Sequence, residues 1–253
     1  MVKQTNNFAA IIMAAGQGKR MNNPDKAKVL YEVGNKPMIG HVVELAKSAS
    51  AAPIVVIIGH QRETVREYLS NIDGDVITRV QDPQQGTGHA VMQAEGVLKE
   101  YQGDIIVLSG DVPLLQKSTI DGLLEVHRET NASVTVLTAE LDDPTGYGRV
   151  VRRDDGSVEK IVEHRDATGD ERQIREINSG IYIFIAQDLF RALKKVQPDN
   201  AQSEYYLTDV FAIFRNEGSR ISAVVSKDTE EISGVNTVDQ LQQVNIRYLE
   251  RTY

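Results

Sequence analysis

Phe8-Ala9-Ala10-Ile11-Ile12-Met13-Ala14-Ala15-Gly16-Gln17-Gly18-Lys19-Arg20-Met21 is the stretch that decides the fold. Its first six residues are apolar without a polar interruption. A strand buried on both faces reads this way, as in a parallel sheet covered by helices. The run then gives way to small residues and to Lys19 and Arg20. Small residues let a backbone approach a ligand, and the exposed N–H groups of such a turn can hold phosphate oxygens. Arg20, and Lys28 a turn further on, add positive charge. The spacing is neither the dinucleotide fingerprint G-x-G-x-x-G nor the P-loop G-x-x-x-x-G-K-[ST]. A glycine-rich surface turn with solvated cations would carry the same residues.

Outward from this stretch the first half alternates strand and helix. Residues 17–37 hold Gly18, Pro24, Gly34 and Pro37 and read as mostly loop. Helical spacing follows over Met38–Ser48, then a β-branched strand over Pro53–Ile58 and a helix through Val65 and Leu69. Asp75–Gln81 is a strand candidate and Gly88–Lys99 a helix. Ile105–Leu108 is a buried strand closed by Ser109-Gly110-Asp111, before a helix over Leu115–Thr130 and a strand over Ser133–Ala139. Repeated βαβ units imply a mostly parallel sheet with helices on both faces. In the second half, two short strand runs within 147–163 flank Asp154-Asp155-Gly156, the signal of a hairpin. Residues 165–175 read as loop, Ser179–Ile185 as strand, and Tyr205–Asn216 and Val238–Tyr248 as helices. The expected fold class is α/β, one continuous domain with an inserted antiparallel region.

Composition narrows the function. The chain has 253 residues, 41% hydrophobic and 25% charged, which is ordinary for a folded globular chain. There is no cysteine, hence no disulfide framework, thiolate nucleophile or Cys-based metal site. That suits a cytoplasmic protein. The formal net charge of −8 argues against broad binding to nucleic acid or anionic membranes. No apolar run reaches the roughly 18 residues of a membrane span. The leading MVKQTNN and the short FAAIIM run do not form a signal peptide.

Two further segments could carry chemistry. Gln81…Gly86-Thr87-Gly88-His89 lies between a strand and a helix. Gln81 offers one donor and one acceptor, the pattern uracil matches, and Thr87 could read a base edge or cap the helix. His89 reads as packing or surface and not as a catalytic base. Asp111, after a buried strand, sits where open parallel sheets bind ligands and could hold Mg²⁺. A turn-forming Asp before Val112-Pro113 is the plainer alternative. Tyr147, Gly148, Arg149, Glu163, Asn178, Tyr205, Tyr206, Thr208, Asp209 and Asn236 are weak signals one by one. No Ser/His/Asp arrangement or HExxH motif is visible.

In order along the chain, MAAGQGKRM, QGTGHAV, GDVPLL, DDPTGYGR, IVEHRDAT, EINSGIYIF, EYYLTD and GVN resemble the uridyltransferase domain of the bifunctional N-acetylglucosamine-1-phosphate uridyltransferase / glucosamine-1-phosphate acetyltransferase family. The likeness runs from about Phe8 to Val238. It implies a Rossmann-like nucleotidyltransferase fold over residues 1–236, with a nucleotide-binding half at about 1–115 and a sugar-binding half at about 116–236. Residues 237–253 would be a C-terminal helix able to serve as a linker arm. It also implies UTP and N-acetylglucosamine 1-phosphate as substrates, Mg²⁺ as cofactor, and a place in peptidoglycan and cell-wall synthesis. Residue by residue, Met13, Ala14, Ala15, Gly16 and Lys28 match the nucleotide loop, with Gln81, Gly86 and Thr87 at the uracil. Arg20 and Lys28 match the catalytic basic pair, Asp111 a catalytic metal ligand and Asn236 the second metal ligand. Gly148, Glu163, Asn178, Tyr206 and Thr208 match positions around the sugar phosphate. Where the family often has Pro-Lys-Val-Leu, this chain has Ala27-Lys28-Val29-Leu30, a small gain in flexibility. The family's acetyltransferase half is a β-helix of hexapeptide repeats. None occurs in these residues, so that activity and its trimer are not implied, and the oligomeric state stays open. A different sugar or base, or a non-catalytic sensor of sugar nucleotides, remains compatible with the motifs.

Overall fold

The computed structural model describes residues 8–21 and 23–252, so the leading MVKQTNN lies outside the described residues. In chain order the elements are β1 (Phe8–Ala14), the short β2 (Glu32–Val33) and β3 (Lys36–Pro37), α1 (Met38–Ser48), β4 (Ala51–Ile58), α2 (Arg62–Ile72) and β5 (Ile77–Val80). Then come α3 (Thr87–Met92), α4 (Glu95–Leu98), β6 (Asp104–Ser109), α5 (Lys117–Thr130) and β7 (Val134–Glu140). Last are β8 (Arg149–Arg152), β9 (Val158–Val162), β10 (Glu176–Ile185), α6 (Ala186–Leu193), α7 (Asp209–Asn216), β11 (Ile221–Val225) and α8 (Val238–Thr252).

Strand β1 lies within the main sheet, whose order is β11-β7-β10-β6-β1-β4-β5. It pairs in parallel with β4 and β6, Ile12 standing opposite Val56 on one side and Leu108 on the other. Side chains alternate across a strand. Phe8, Ala10, Ile12 and Ala14 therefore enter one apolar layer, with Val42 of α1, Leu69 of α2 and Leu123 of α5. Ala9 and Ile11 enter the opposite layer, with Val91 of α3, Leu189 of α6 and Phe211 of α7. Both faces of β1 are covered, which is why its sequence shows no polar alternation.

One strand breaks the parallel pattern. β10 runs antiparallel to both β6 and β7, while β11 is parallel to β7. The inserted hairpin is β8–β9, turning at Gly156 and joined to β10 through Ile177 and Arg149. Reversing β10 has a consequence for function. Its beginning, at Asn178, lies toward the end of the sheet where β1 and β6 finish.

Some expectations shift. The strand expected at Ser179–Ile185 begins at Glu176. Its pairing with β7 slips between Asn178 and Tyr182, with Gly180 at φ +79°, so a bulge interrupts the alternation that a sequence reading follows. Helices α6 and the strand β11 were not anticipated. α6 follows β10 without a breaker residue, and β11 is a half-buried edge strand. The helix expected from Tyr205 begins at Asp209, because Tyr205 and Leu207 give their N–H groups to Gln85 and Thr87 instead. The helix expected at Gly88–Lys99 is two short pieces, α3 and α4.

A third apolar cluster joins Met21, Val33, Met38, Leu114, Val235 and Val244. It seats α8 against the N-terminal loop. Asn245 reinforces it, accepting from Gly34 N–H at 3.0 Å and donating to the Glu32 carbonyl at 3.1 Å. Because Val235 is in this cluster, the position of Asn236 is fixed by packing. No helix among the described residues is long and apolar enough to cross a membrane.

Ile57 of β4 is fully buried in the layer opposite α1. Ile57→Ala should cost about 2–5 kcal/mol, the range for deleting a buried aliphatic side chain. Urea denaturation checks this, and an unchanged midpoint would contradict two-faced burial of the sheet.

Candidate active site

Three loops leave the carboxyl ends of parallel strands and meet in a cleft of about 510 Å³. The loop after β1 brings Ala15 and Gly16. The segment after β5 brings Gln81, Gly86 and Thr87. The end of β6 brings Ser109 and Asp111. Ligand sites of open α/β sheets occur at this edge. Met13, Ala14, Ala15, Gly16, Lys28, Gln81, Gly86, Thr87 and Asp111 all line the cleft. A side chain at Gly16 would meet no protein atom within 4 Å, so the space over its backbone is open to a ligand.

The polar groups are arranged rather than scattered. Buried Gln81 donates its Nε2 to the Gly86 carbonyl at 2.9 Å, with His89 Nδ1 at 3.3 Å from the same nitrogen. His89 thus acts on Gln81's orientation. Gly86 takes φ +100° and a Cβ there would stand 2.6 Å from the Tyr205 carbonyl, so only glycine fits. Thr87 does not cap α3. Its Oγ1 accepts the Leu207 N–H at 3.0 Å, and Gly88 N–H donates to the Tyr205 carbonyl at 2.7 Å. The segment 205–207 is thereby stitched onto the Gly86 loop.

At the floor of the cleft, Lys28 Nζ makes an ion pair with Asp111 and a 3.1 Å hydrogen bond to Asn236 Oδ1. A carboxylate and an amide oxygen thus face one cation. That donor set suits Mg²⁺, which takes one or two protein oxygens and completes its shell with water and phosphate. Among the described residues no group of three or more His, Asp or Glu forms a protein-only metal cage. Asn236 itself is outside the cleft lining and reaches it through Lys28.

Arg20 stands apart. The sequence reading sets it beside Lys28, but Arg20 is exposed and Lys19 lines the cleft instead. The cause is the 3-10 turn over Lys19–Met21, whose Met21 is buried in the third apolar cluster. Successive residues of such a turn point about a third of a turn apart. Anchoring Met21 therefore directs Arg20 away from Lys19.

The sugar-phosphate candidates gather around Glu163. Thr208 Oγ1 donates to Glu163 Oε1 at 3.1 Å. Gly148 gives its carbonyl to the Asn178 N–H at 2.9 Å, and a Cβ on Gly148 would lie 3.5 Å from both Glu163 Oε2 and Asn178 Cβ. Asn178 is buried and donates Nδ2 to the Tyr182 hydroxyl at 2.6 Å. Glu163, Tyr206 and Thr208 also line a smaller hollow of about 210 Å³. Burial raises the Glu163 carboxyl above the usual carboxylate range, and Asp166, Asp209 and Glu204 push the same way against the Thr208 hydrogen bond. Burial likewise moves the Tyr206 hydroxyl to about 12.

A family model described as nucleotidyl transferase matches residues 9–243. The chain belongs to the nucleotidyl transferase family. Two curated relatives are each named Bifunctional protein GlmU. The one from Acetivibrio thermocellus is 46% identical over 234 residues, 92% of this chain and 50% of its own length. The one from Halalkalibacterium halodurans is 47% identical over 250 residues, 98% of this chain and 54% of its own. This nucleotidyl transferase chain spans about half the length of those relatives. A solved UDP-glucose pyrophosphorylase, in complex with UDP-glucose, shares the fold with a TM-score of 0.77 at 16% identity, covering 96% of this chain and 99% of that one.

Several residues of the nucleotidyl transferase cleft escape a sequence reading. Gln17 and Gln84 line it and join across it by a 2.9 Å hydrogen bond. Glu204 and Ser109 line it as well. Gln17 lies inside a motif already read for its glycines and Glu204 opens the EYYLTD motif without a role of its own there, whereas Gln84 carries no local signal. Only the fold brings them together.

Asp209, at the start of α7, is pushed by burial, with help from Asp166, to about 6. Its charged form is therefore penalised in the folded state. The penalty is small below about pH 4, grows between pH 4 and 6 as the unfolded carboxyl ionises while the folded one stays protonated, and is complete above 6. Asp209→Asn should stabilise the fold at pH 8 by on the order of 1 kcal/mol and leave it unchanged near pH 4. Urea denaturation at the two pH values decides; equal or lower stability of the variant at pH 8 would contradict the assignment.

Proposed function

We propose that the chain transfers a uridylyl group from UTP to N-acetylglucosamine 1-phosphate, giving UDP-N-acetylglucosamine and pyrophosphate. The observation that carries this reading is the convergence of Lys28, Asp111 and Asn236 at the floor of a cleft whose walls are the Ala15–Gly16 loop and Gln81. The nucleotidyl transferase family match supports the reaction class. The ordered resemblance of EYYLTD, DPTGYGR and GTGHA to the uridyltransferase domain supports the choice of base and sugar.

In this reading a phosphate oxygen of the sugar 1-phosphate attacks the α-phosphorus of UTP. A new P–O bond forms as the bond to the bridging oxygen of pyrophosphate breaks in line. The nucleophile is already anionic, so no general base is required. What the chain supplies is position and charge. Gln81, its nitrogen occupied by Gly86, would present its oxygen to the uracil N–H. The open backbone at Gly16 would take phosphate oxygens. Lys28 would meet the α-phosphate, and Arg20, outside the lining, would close on the departing pyrophosphate. Glu163 would accept from sugar hydroxyls beside Gly148, Asn178, Tyr206 and Thr208. Asp111 and Asn236 would hold Mg²⁺, which when bound neutralises charge on the phosphate oxygens. Residues 1–115 would thus serve the nucleotide and 116–236 chiefly the sugar, with Asn236 returning to the phosphates.

The test is pyrophosphate release from UTP and N-acetylglucosamine 1-phosphate with Mg²⁺, run beside glucose 1-phosphate, glucosamine 1-phosphate and CTP. Release is expected with the first pair above all others. Faster release with another pair would move the specificity, and none with any pair would defeat the enzymatic reading in favour of a sensor. Asp111→Ala should lower turnover by roughly two to three orders of magnitude, the scale of losing one central electrostatic group. Its melting temperature should hold, since Asp111 is part of the cleft and not of an apolar layer. Normal turnover by that variant would remove Asp111 from the reaction.

A further inference from the structure

Arg149 is the largest side chain that the fold buries completely, at 1% exposure. Among the described residues it forms no ion pair, and its Nε has no hydrogen-bond partner. Burial holds its pKa below the ordinary arginine value. Asp143 opposes the shift without reaching contact, and Arg172 adds to it. A buried guanidinium without an anion is a poor way to stabilise a fold, since an apolar side chain of similar volume avoids the desolvation cost. Its retention calls for another reason.

The two contacts it does make suggest one. Nη1 donates to the Tyr147 carbonyl, and Nη2 lies 3.5 Å from His164 Nδ1. Tyr147 precedes Gly148, and His164 follows Glu163. In a trans peptide the C=O and the next N–H point in opposite directions. Holding the Tyr147 C=O toward the guanidinium therefore turns the Gly148 N–H away from it. That N–H has no partner among the described residues, while the Gly148 carbonyl is taken by Asn178. The Gly148 position is the corner between Asn178 and Glu163. On the other side, donation from Nη2 requires His164 Nδ1 to be the unprotonated nitrogen of its ring. This fixes the turn that presents Glu163.

We propose that Arg149 is a positioning residue which braces the loops presenting Gly148 and Glu163, and so sets the spacing between a free amide donor and a carboxylate acceptor. The proposal rests on the sugar 1-phosphate reading above. Arg149 touches no substrate; it acts on the pair that does. Its place in β8 suits the task, because β8 pairs with β9 on one side and with Ile177 of β10 on the other. The guanidinium is thus anchored to the strands from which both loops leave.

The experiment compares Arg149→Met and Arg149→Lys with the unaltered protein. KM is measured separately for the nucleotide and for whichever sugar 1-phosphate the unaltered protein uses, together with the melting temperature. Arg149→Met fills the volume without the donors. Its KM for the sugar phosphate should rise about tenfold, the scale of one charge-assisted hydrogen bond. KM for the nucleotide should stay within about twofold and the melting temperature should not fall. Arg149→Lys keeps the charge but cannot span both loops. It should give an intermediate, equally selective rise, and it decides the matter should the methionine variant fail to fold. Unchanged sugar KM in the lysine variant, or equal rises in both KM values, would overturn the proposal alone. An unaltered protein inert toward every sugar phosphate would overturn it together with the reading on which it rests.

Discussion

The contact of Lys28 with Asp111 and Asn236 is the constraint on which the site depends. Three residues distant in the chain meet there, each delivered by a different part of the fold. Lys28 comes from the loop after β1, Asp111 from the end of β6, and Asn236 from the residue after Val235 in the third apolar cluster. The ion pair is largely screened from water, with side-chain exposures of 15% and 17%. A half-hidden pair of this kind adds little net stability, and Lys28 keeps its hydrogen bond to Asn236 when Asp111 is removed. The three are best understood as a functional group held together by packing. Seating α8 through Val244 and Asn245 therefore matters to chemistry at a distance, because the same cluster that holds α8 holds Val235.

Charge is divided between the cleft and the smaller hollow. Lys19 and Lys28 line the cleft. Glu163, Asp166 and Asp209 line the hollow, where burial and neighbouring carboxylates raise Glu163 and Asp209. A phosphate chain seeks the first environment, and a ring of hydroxyl donors the second. The net charge of −8 is thus compatible with an anionic substrate, since the field that matters is local. Arg149 beside Gly148 carries a cation as well, but that charge is enclosed and turned to backbone and ring acceptors instead of to solvent.

How much of this was legible depended on which signal each residue carried. β1 was readable because burial on both faces leaves an apolar run with nothing else to be. The Gly86 loop was readable because its glycine is obligatory. β10 was misjudged at its start because a bulge at Gly180 breaks the alternation, and Asn178 sits just inside the hidden part. α6 and β11 lack the punctuation that marks an element in sequence. The sequence places Arg20 near Lys28, but the turn anchored by Met21 leaves Lys19, and not Arg20, in the cleft lining. Gln84 and Glu204 reach the cleft only through tertiary structure. The relation between Thr87 and Leu207 could not be read from either segment alone.

That last relation ties the cleft to the hollow around Glu163. Thr87 and Gly88 belong to the Gly86 loop, Tyr205 and Leu207 to the segment leading into Tyr206 and Thr208. Thr208 in turn donates to Glu163. Hydrogen bonds at Tyr205, Leu207 and Thr208, joined by the backbone between them, therefore connect the wall beside Gln81 to the Glu163 carboxyl. Only a residue without a Cβ leaves room for the Tyr205 carbonyl at Gly86. Displacing this segment relative to the loop breaks the hydrogen bonds at Thr87 and Gly88. In the proposed reaction two phosphates must meet in line, so these links matter to rate as well as to binding, because misplacing a reacting group by about 1 Å can cost on the order of a hundredfold in rate.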